Sequence, residues 1–285
     1  MPEQDKTARF IQAFPKYLLL FTILFLITLY ILIWLIDFRQ VYVPGLTEWK
    51  DLFPANLFWL QVFREGGIVE NMQWLYLAFS FLISILCLFS IKKQTNKYHI
   101  GFVLLSVGLL LMFLEDMANL RHYFSYYVSL QFYDGIAGSY EWRISMFRTM
   151  LEIAVYTVLG TIMLLAFFKI FFDKNFCAKA RKYLLIGYLF YGVASIASAT
   201  RNIGSWYQKV GTRLFEWLQA GKTYEWNSES ILFFEDPLSF WFMDLPVEES
   251  IELLGASLIF SSTLLFLFSF NKIMNYKLLT NSSKL

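Results

Sequence analysis

The chain has 285 residues, of which 58% are hydrophobic and only 16% are charged, with 31 phenylalanines and a formal net charge of +2. This balance lies outside the usual composition of soluble domains and indicates an integral membrane protein. The two cysteines, Cys87 and Cys177, are too few for a disulfide framework.

The first predicted element is the segment from Tyr17 to Ile36, which contains no charged residue. About twenty helical residues cross a hydrocarbon core of roughly 30 Å, so this segment predicts a transmembrane helix. A secretory signal is the alternative. The run is longer than a signal-peptide core, however, and no small-x-small cleavage site follows before Asp37. We therefore expect an uncleaved first span.

Five further apolar segments follow in chain order, and the six predicted spans are 17–36, 71–91, 99–117, 150–172, 183–200 and 250–270. Their apolar runs are continuous rather than alternating, which favours helices over a membrane barrel. The predicted fold is an all-α integral membrane protein whose six transmembrane helices form three hairpins. Residues 1–285 are expected to make a single membrane domain.

The distribution of charge predicts an orientation, because Lys and Arg are retained on the cytoplasmic side. With the N-terminus inside, the inner segments hold 14 of the 24 Lys and Arg residues, whereas 19 of the 22 acidic residues lie outside or at outer helix ends. Both termini are therefore predicted to be cytoplasmic. The basic inner face favours contact with anionic lipid headgroups over nucleic acid.

Three long outer segments, 37–70, 118–149 and 201–249, interleave aromatic and charged residues, most clearly at 47–63, 205–219 and 230–246. Trp and Tyr rings settle at the headgroup boundary of a bilayer. These segments predict interfacial helices that form an outer cap, and this aromatic cap is a candidate surface for a protein partner.

Charged residues recur at the outer ends of the spans. Each odd-numbered span ends near an arginine (Arg39, Arg121, Arg201), and each even-numbered span begins near a glutamate (Glu70, Glu152, and the pair Glu248 and Glu249). A threefold internal repeat is one interpretation. The other is that carboxylates at helix N-termini and cations at C-termini complement the helix dipole.

Several ionisable residues lie slightly inside the predicted outer boundary, where such a group is a functional hypothesis by default. Glu115 and Asp116 end the third span, and Glu248 and Glu252 lie four residues apart on one helix face. A partner from another helix is expected for Arg121. The candidate transport or ligand site comprises Glu70, Glu115, Asp116, Arg121, His122, Glu152, Arg201, Glu248, Glu249 and Glu252.

A polar stripe formed by Glu70, Gln73, Ser80, Ser84 and Cys87 follows one face of the second span. Such a stripe either lines a path through the membrane or serves as a helix packing face, and packing is the commoner role.

Metal or cofactor binding is suggested only by carboxylates. Glu115, Asp116, Glu248 and Glu252 offer hard oxygen ligands for Ca²⁺, Mg²⁺ or Mn²⁺. The two histidines, His99 and His122, exclude a multi-histidine site. No motif for a nucleotide or another cofactor is present, so we expect no cofactor beyond a possible divalent cation.

Two stretches, EDMANLRH (115–122) and EESIELLGASL (248–258), resemble a feature of a loose group of uncharacterised bacterial multi-span proteins. In that group one helix ends in an acidic pair followed by a histidine, and the last helix opens with an acid-rich stretch leading to a small residue. Here the pair reads Glu then Asp, and Arg121 precedes the histidine. The resemblance implies a six-span fold in the bacterial inner membrane and no activity.

Three hypotheses about function follow. The first is movement of a cation or a proton-coupled solute, because focused negative charge concentrates cations. The second is an outer-leaflet enzyme in which the acids, Arg121, His122 and Arg201 bind a lipid-linked or phosphate-bearing substrate. The third is a structural or assembly subunit whose aromatic cap docks a partner.

Overall fold

Long apolar helices make up most of the chain. The computed structural model describes residues 2–51, 57–133, 141–201, 203–219 and 237–282, and these ranges contain helices without β-strands. We number the helices α1 (Pro2–Ile33), α2 (Leu46–Asp51), α3 (Phe58–Phe63), α4 (Ile68–Thr95), α5 (Ile100–Ala118), α6 (Leu120–Tyr133), α7 (Glu141–Phe171), α8 (Ala178–Thr200), α9 (Trp206–Gln219), α10 (Leu238–Phe242) and α11 (Glu249–Ser282). Two short π-helical segments, Trp34–Phe38 and Met243–Glu248, continue α1 and precede α11.

Six helical stretches within the described residues are long and apolar enough to cross a membrane. They are Ala13–Phe38, Phe58–Thr95, Ile100–Ala118, Met146–Phe171, Ala178–Thr200 and Leu238–Phe270. The predicted helical class is confirmed, and so is the predicted number of six membrane-spanning helices; together they indicate a multi-pass integral membrane protein. The second and sixth stretches begin more than ten residues before the predicted spans, because each includes a short apolar helix, α3 or α10, that precedes the long one.

The chain divides into two units, each of which gathers distant parts of the sequence. Unit 1 contains Met1–Leu20, Trp74–Gly192 and Leu254–Leu285, and unit 2 contains Phe21–Gln73 and Val193–Leu253.

In unit 1, glycines bring helices close together, as is common between helices in membranes. A Cβ at Gly187 of α8 would lie 2.8 Å from Cγ1 of Ile259 and 3.1 Å from the carbonyl oxygen of Gly255, both on α11. A Cβ at Gly108 of α5 would overlap the sulfur of Met163 on α7. A larger side chain at either glycine would push these helices apart.

Unit 2 is built around α3, in which every residue is buried. Trp59 packs edge to face on Phe242, with ring centroids 5.6 Å apart, and Phe38 contacts Phe215 at 5.1 Å. The residues Leu57 to Phe63 are therefore core residues, whereas the sequence places the segment 47–63 at a lipid interface. Their rings are covered by protein instead of headgroups.

Helix α9 fits the amphipathic pattern predicted for 205–219 more closely. It buries Tyr207, Gly211 and Phe215 and leaves Trp217 76% exposed. A Cβ at Gly211 would overlap the backbone oxygen of Ser239, so α9 and α10 are in close contact. The parts 52–56, 134–140 and 220–236 of the predicted cap lie outside the described residues.

Candidate functional site

The main candidate site begins at the π-helical segment Met243–Glu248, which leads directly into α11. In an α-helix, four residues turn through about 40° more than a full circle. In a π-helical turn the hydrogen bonds join residues i and i+5, so the turn is wider and four residues cover less than a full circle. The two offsets oppose each other, and Asp244, Glu248 and Glu252 form a line along the helix. We call these three residues the carboxylate ladder.

Each member of the ladder contacts a side chain from a different part of unit 2. Arg201, which follows α8, donates from Nη1 to Oδ1 of Asp244 at 2.6 Å. Tyr207 of α9 donates its hydroxyl to Oε2 of Glu248 at 2.8 Å. Gln73 of α4 donates from Nε2 to Oε2 of Glu252 at 2.8 Å. The ladder is thereby held by three separate helices or helix ends.

Tyr207 has one hydroxyl proton and two carboxylate neighbours. Its oxygen lies 2.8 Å from Glu248 and 3.3 Å from Oδ1 of Asp244, so Glu248 is the principal acceptor. Tyr207 is fully buried. Burial, and then the charges of Glu248 and Asp244, raise the pKa of Tyr207 above its ordinary value, so the hydroxyl keeps its proton.

More negative than positive charges act on Glu248, the central residue of the ladder. Glu248 is 8% exposed. Among the described residues, the charges that act on it are those of Asp244 and Glu252, which repel it, and that of Arg201, which attracts it. An uncompensated charge in a buried setting costs several kcal/mol. The ladder is therefore chemically suited to take up a proton or a cation.

Tyr30 and Ser250 hold the π-helical segment at Pro246. The carbonyl oxygen of Pro246 accepts hydrogen bonds from the Tyr30 hydroxyl at 2.8 Å and from Oγ of Ser250 at 2.5 Å. Because proline has no backbone N–H, it interrupts the ordinary α-helical hydrogen bonds. These two side chains stabilise the irregular turn from which the ladder begins.

The other π-helical segment also carries a buried carboxylate, Asp37, which is 2% exposed. Its Oδ1 accepts from the backbone N–H of Phe58 at 2.8 Å, and its Oδ2 accepts from that of Trp59 at 2.9 Å. These are free N–H groups in the first turn of α3. Asp37 therefore caps α3 from 21 residues away, and helices α3 and α9 each contact both π-helical segments.

A second group of candidate residues lies in unit 1, along a polar seam between α6 and α7. Three pairs follow one another at four-residue steps on both helices: Arg121 over the Tyr156 ring at 4.6 Å, Ser125 donating to Glu152 at 3.4 Å, and Arg148 donating to Ser129 at 3.0 Å. Polar contacts of this kind join helices in a membrane. Helix α6 accordingly buries Ser125 and Ser129, while Tyr123, Tyr126 and Tyr127 are exposed.

Arg121 meets partners from two other helices, as the sequence predicts. In addition to Tyr156, its Nε lies 3.6 Å from Oε1 of Glu115 on α5. Asn119 separates α5 from α6 in the left-handed conformation with φ of 47°, which asparagine tolerates better than most residues. Asp116 is half-buried near this bend, and the side chain of His122 lies outside the described part of the structure.

Glu70 and Glu249 have positions distinct from the ladder and the seam. Glu70 accepts a hydrogen bond from the backbone N–H of Gly66, just before α4, so it caps the start of its own helix. Glu249 is half-buried in the first turn of α11.

The polar stripe on the second span is buried throughout. Oγ of Ser84 lies 2.7 Å from Oγ of Ser106 on α5, and the sulfur of Cys87 lies 3.8 Å from the backbone oxygen of Thr263. Gln73 and Ser80 are also fully buried. These contacts favour the packing interpretation of the stripe.

Three of the predicted site residues, Arg201, Glu248 and Glu252, thus lie together in unit 2, and Glu115, Arg121 and Glu152 lie along the α6–α7 region of unit 1. Asp244 and Tyr207 were missed by the sequence reasoning. Asp244 precedes Glu248 by four residues, as Glu252 follows it by four, so the spacing could have identified it. Tyr207 carries no comparable local signal.

Within the described ranges, no three His, Cys, Asp or Glu side chains are grouped so that they could hold a metal ion. The ladder is a row of carboxylates rather than a converging set.

Comparison with protein-family models, curated proteins and solved structures gives no match for this chain. The fold and the site therefore define the class of the molecule, a multi-pass helical membrane protein with a line of carboxylates centred on the buried Glu248.

Proposed function

We propose that this chain moves a solute across the membrane in exchange for, or together with, a proton that binds at the carboxylate ladder. The observation that supports this proposal is the position of Glu248, which is buried between two further carboxylates and faces one guanidinium. Such a group binds and releases a proton readily, because the guanidinium favours its ionised form while burial and the two carboxylates favour its protonated form.

The geometry favours a proton over a divalent cation as the coupling ion. Ca²⁺ needs six to eight oxygen ligands, and Mg²⁺ needs near-octahedral geometry. Carboxylates arranged along one helix do not surround a metal ion, whereas a proton needs one oxygen to bind and a second to share it.

Tyr207 gives the ladder two hydrogen-bonding arrangements. When Glu248 is ionised, the Tyr207 hydroxyl donates to it. When Glu248 carries a proton, it no longer requires that donor, and the hydroxyl can turn to Asp244, 3.3 Å away. Uptake of a proton thus changes which carboxylate is linked to α9, and this couples the charge of the ladder to the position of a neighbouring helix.

Proton uptake can be tested with the protein reconstituted in vesicles that contain a pH-sensitive dye. A pH gradient is imposed, and the proton flux is measured for the native chain and for Glu248→Gln. We expect the native chain to transmit protons above the level of empty vesicles and Glu248→Gln to reduce this flux about tenfold or more, since the amide does not bind a proton at neutral pH. Glu216→Gln is the matched control, because Glu216 is an exposed carboxylate of α9 in the same unit.

A second measurement distinguishes a strictly coupled transporter from a protein without a proton site. Dicyclohexylcarbodiimide forms a covalent adduct with protonated carboxyl groups in apolar surroundings. Mass spectrometry should find the adduct on Glu248 and not on Glu216. If Glu248→Gln keeps both the native proton flux and the native level of labelling, the proposal is overturned.

A further inference from the structure

Two connections between helices lie side by side in unit 1, far along the chain from the carboxylate ladder. One joins α4 to α5 and the other joins α7 to α8. Nε2 of His99 in the first lies 3.4 Å from Oδ2 of Asp173 in the second. A Cβ at Gly101 would come within 2.9 Å of Ile170. The two connections therefore form one continuous surface.

An aromatic cluster fixes this surface in place. The His99 ring packs edge to face on Phe176 with centroids 4.8 Å apart. Phe102 in turn contacts Phe176 at 5.4 Å and Phe266 of α11 at 5.3 Å. Phe102 and Phe266 are fully buried. The positions of the side chains on the two connections are thus set by a rigid base.

The surface above this base is strongly basic. Its exposed lysines, which we call the basic turn patch, are Lys92, Lys93, Lys97, Lys169, Lys174, Lys179 and Lys182. The acid among them, Asp173, is engaged with His99. Burial lowers the pKa of His99 below its ordinary value, so the positive charge of the patch comes from lysines that face solvent.

Exposed apolar side chains border the lysines. Phe172, between Lys169 and Lys174, is 71% exposed, and Ile100 at the start of α5 is 53% exposed. Tyr98 is 49% exposed and accepts a hydrogen bond of 2.5 Å from Nζ of Lys92. A ligand that contacts both the lysines and these apolar side chains must carry negative charge next to a hydrocarbon chain.

We propose that the basic turn patch binds the phosphate group of anionic phospholipids, with phosphatidylglycerol as the representative ligand. Clustered lysines at the ends of membrane-spanning helices attract anionic headgroups, each lysine adding to the attraction. Phe172 and Ile100 would then contact the acyl chains. The apolar border favours a lipid over nucleic acid or free phosphate, which bring no hydrocarbon to cover these side chains.

The test is binding of fluorescent phosphatidylglycerol to the purified full-length protein in mixed micelles. Lys97→Gln/Lys174→Gln removes one charge from each connection, and neither side chain makes a described hydrogen bond. Lys209→Gln/Arg213→Gln on exposed positions of α9 removes the same charge elsewhere. We expect the patch variant to bind about tenfold more weakly, the control to bind like the native chain, and phosphatidylcholine to bind poorly to all three.

Competition identifies the source of the phosphate. Unlabelled phosphatidylglycerol should displace the probe, whereas inorganic phosphate and a single-stranded oligonucleotide at equal concentration should not. Equal competition by inorganic phosphate or by the oligonucleotide would overturn the lipid assignment. Equal loss of binding in the control variant would overturn the assignment to these two connections.

Discussion

Tyr207 donates a hydrogen bond of 2.8 Å to Glu248, a residue 41 positions away in the sequence. This bond connects the amphipathic helix α9 to the middle of the carboxylate ladder. Both residues are buried, so neither has water as an alternative partner. The pair therefore contributes to the stability of unit 2 as well as to the proposed proton site.

Replacing Tyr207 with Phe should lower the free energy of unfolding by about 1 to 3 kcal/mol, because a buried acceptor loses its donor. Unfolding of unit 2 can be followed in detergent by deuterium exchange of the peptides of α3, whose residues are all buried in the native chain. The control is Tyr127→Phe, since Tyr127 is 64% exposed. A Tyr207→Phe chain as stable as that control would contradict the importance of the bond.

Removing the guanidinium of Arg201 should be more costly. The Arg201 and Asp244 side chains are 18% and 11% exposed, and breaking such a pair leaves a mostly buried charge, for which we expect a loss of about 3 kcal/mol in Arg201→Met. The double variant Arg201→Met/Asp244→Leu should recover most of this loss, as measured by the same deuterium exchange of α3. If the double variant instead loses as much unfolding free energy as the two single variants together, the two side chains are not coupled.

Asp37 offers a test of the distant cap on α3. Asp37→Ala should cost about 1 to 2 kcal/mol, because two backbone N–H groups lose their acceptor. Asp37→Asn retains one acceptor oxygen and should cost less. Hydrogen exchange at the backbone N–H groups of Phe58 and Trp59 should become faster in the same order. Identical behaviour of the two variants would mean that the carboxylate does not cap this helix.

His99 predicts a dependence of stability on pH. Burial lowers its folded pKa below the ordinary value of 6.5, so above that pH both the folded and unfolded states are neutral. As the pH falls below it, the unfolded state takes up the proton first, and stability is lost until the folded pKa is passed. The thermal midpoint should therefore fall between about pH 7 and pH 5, and less so in His99→Gln.

A variant of Asp173 should have the opposite effect to His99→Gln in this experiment. The charge of Asp173 opposes the effect of burial on the pKa of His99. Asp173→Asn should therefore lower this pKa further and increase the loss of stability in acid. A midpoint that falls equally in all three chains would assign the acid sensitivity to other groups.

The six spans could be predicted because membrane-spanning helices depend on local composition, which a single sequence displays completely. The partners of the site could not. Asp37 marks the end of an apolar run, and nothing near it indicates the N–H groups of Phe58 and Trp59. Likewise, Arg201 suggests a helix end complementing a dipole, whereas its contact with Asp244 depends on packing between segments 43 residues apart.

The aromatic outer segments show a different limit of sequence reasoning. The pattern of Trp and Phe is the same whether the rings meet lipid headgroups or one another. In α3, Trp59 meets Phe242 and Phe63 meets Tyr30, and both rings are buried. In α6, Tyr123 and Tyr127 are exposed. Composition predicts that such rings leave water, but it does not predict which surface covers them.

The π-helical turn before α11 has an electrical consequence. Because it keeps Asp244 in line with Glu252, the ladder runs along the helix axis for about 12 Å, roughly two-fifths of a hydrocarbon core. A charge that crosses the whole core gains or loses about 2.3 kcal/mol per 100 mV. For a proton that travels the length of the ladder along the membrane normal, the membrane voltage would contribute about two-fifths of that amount.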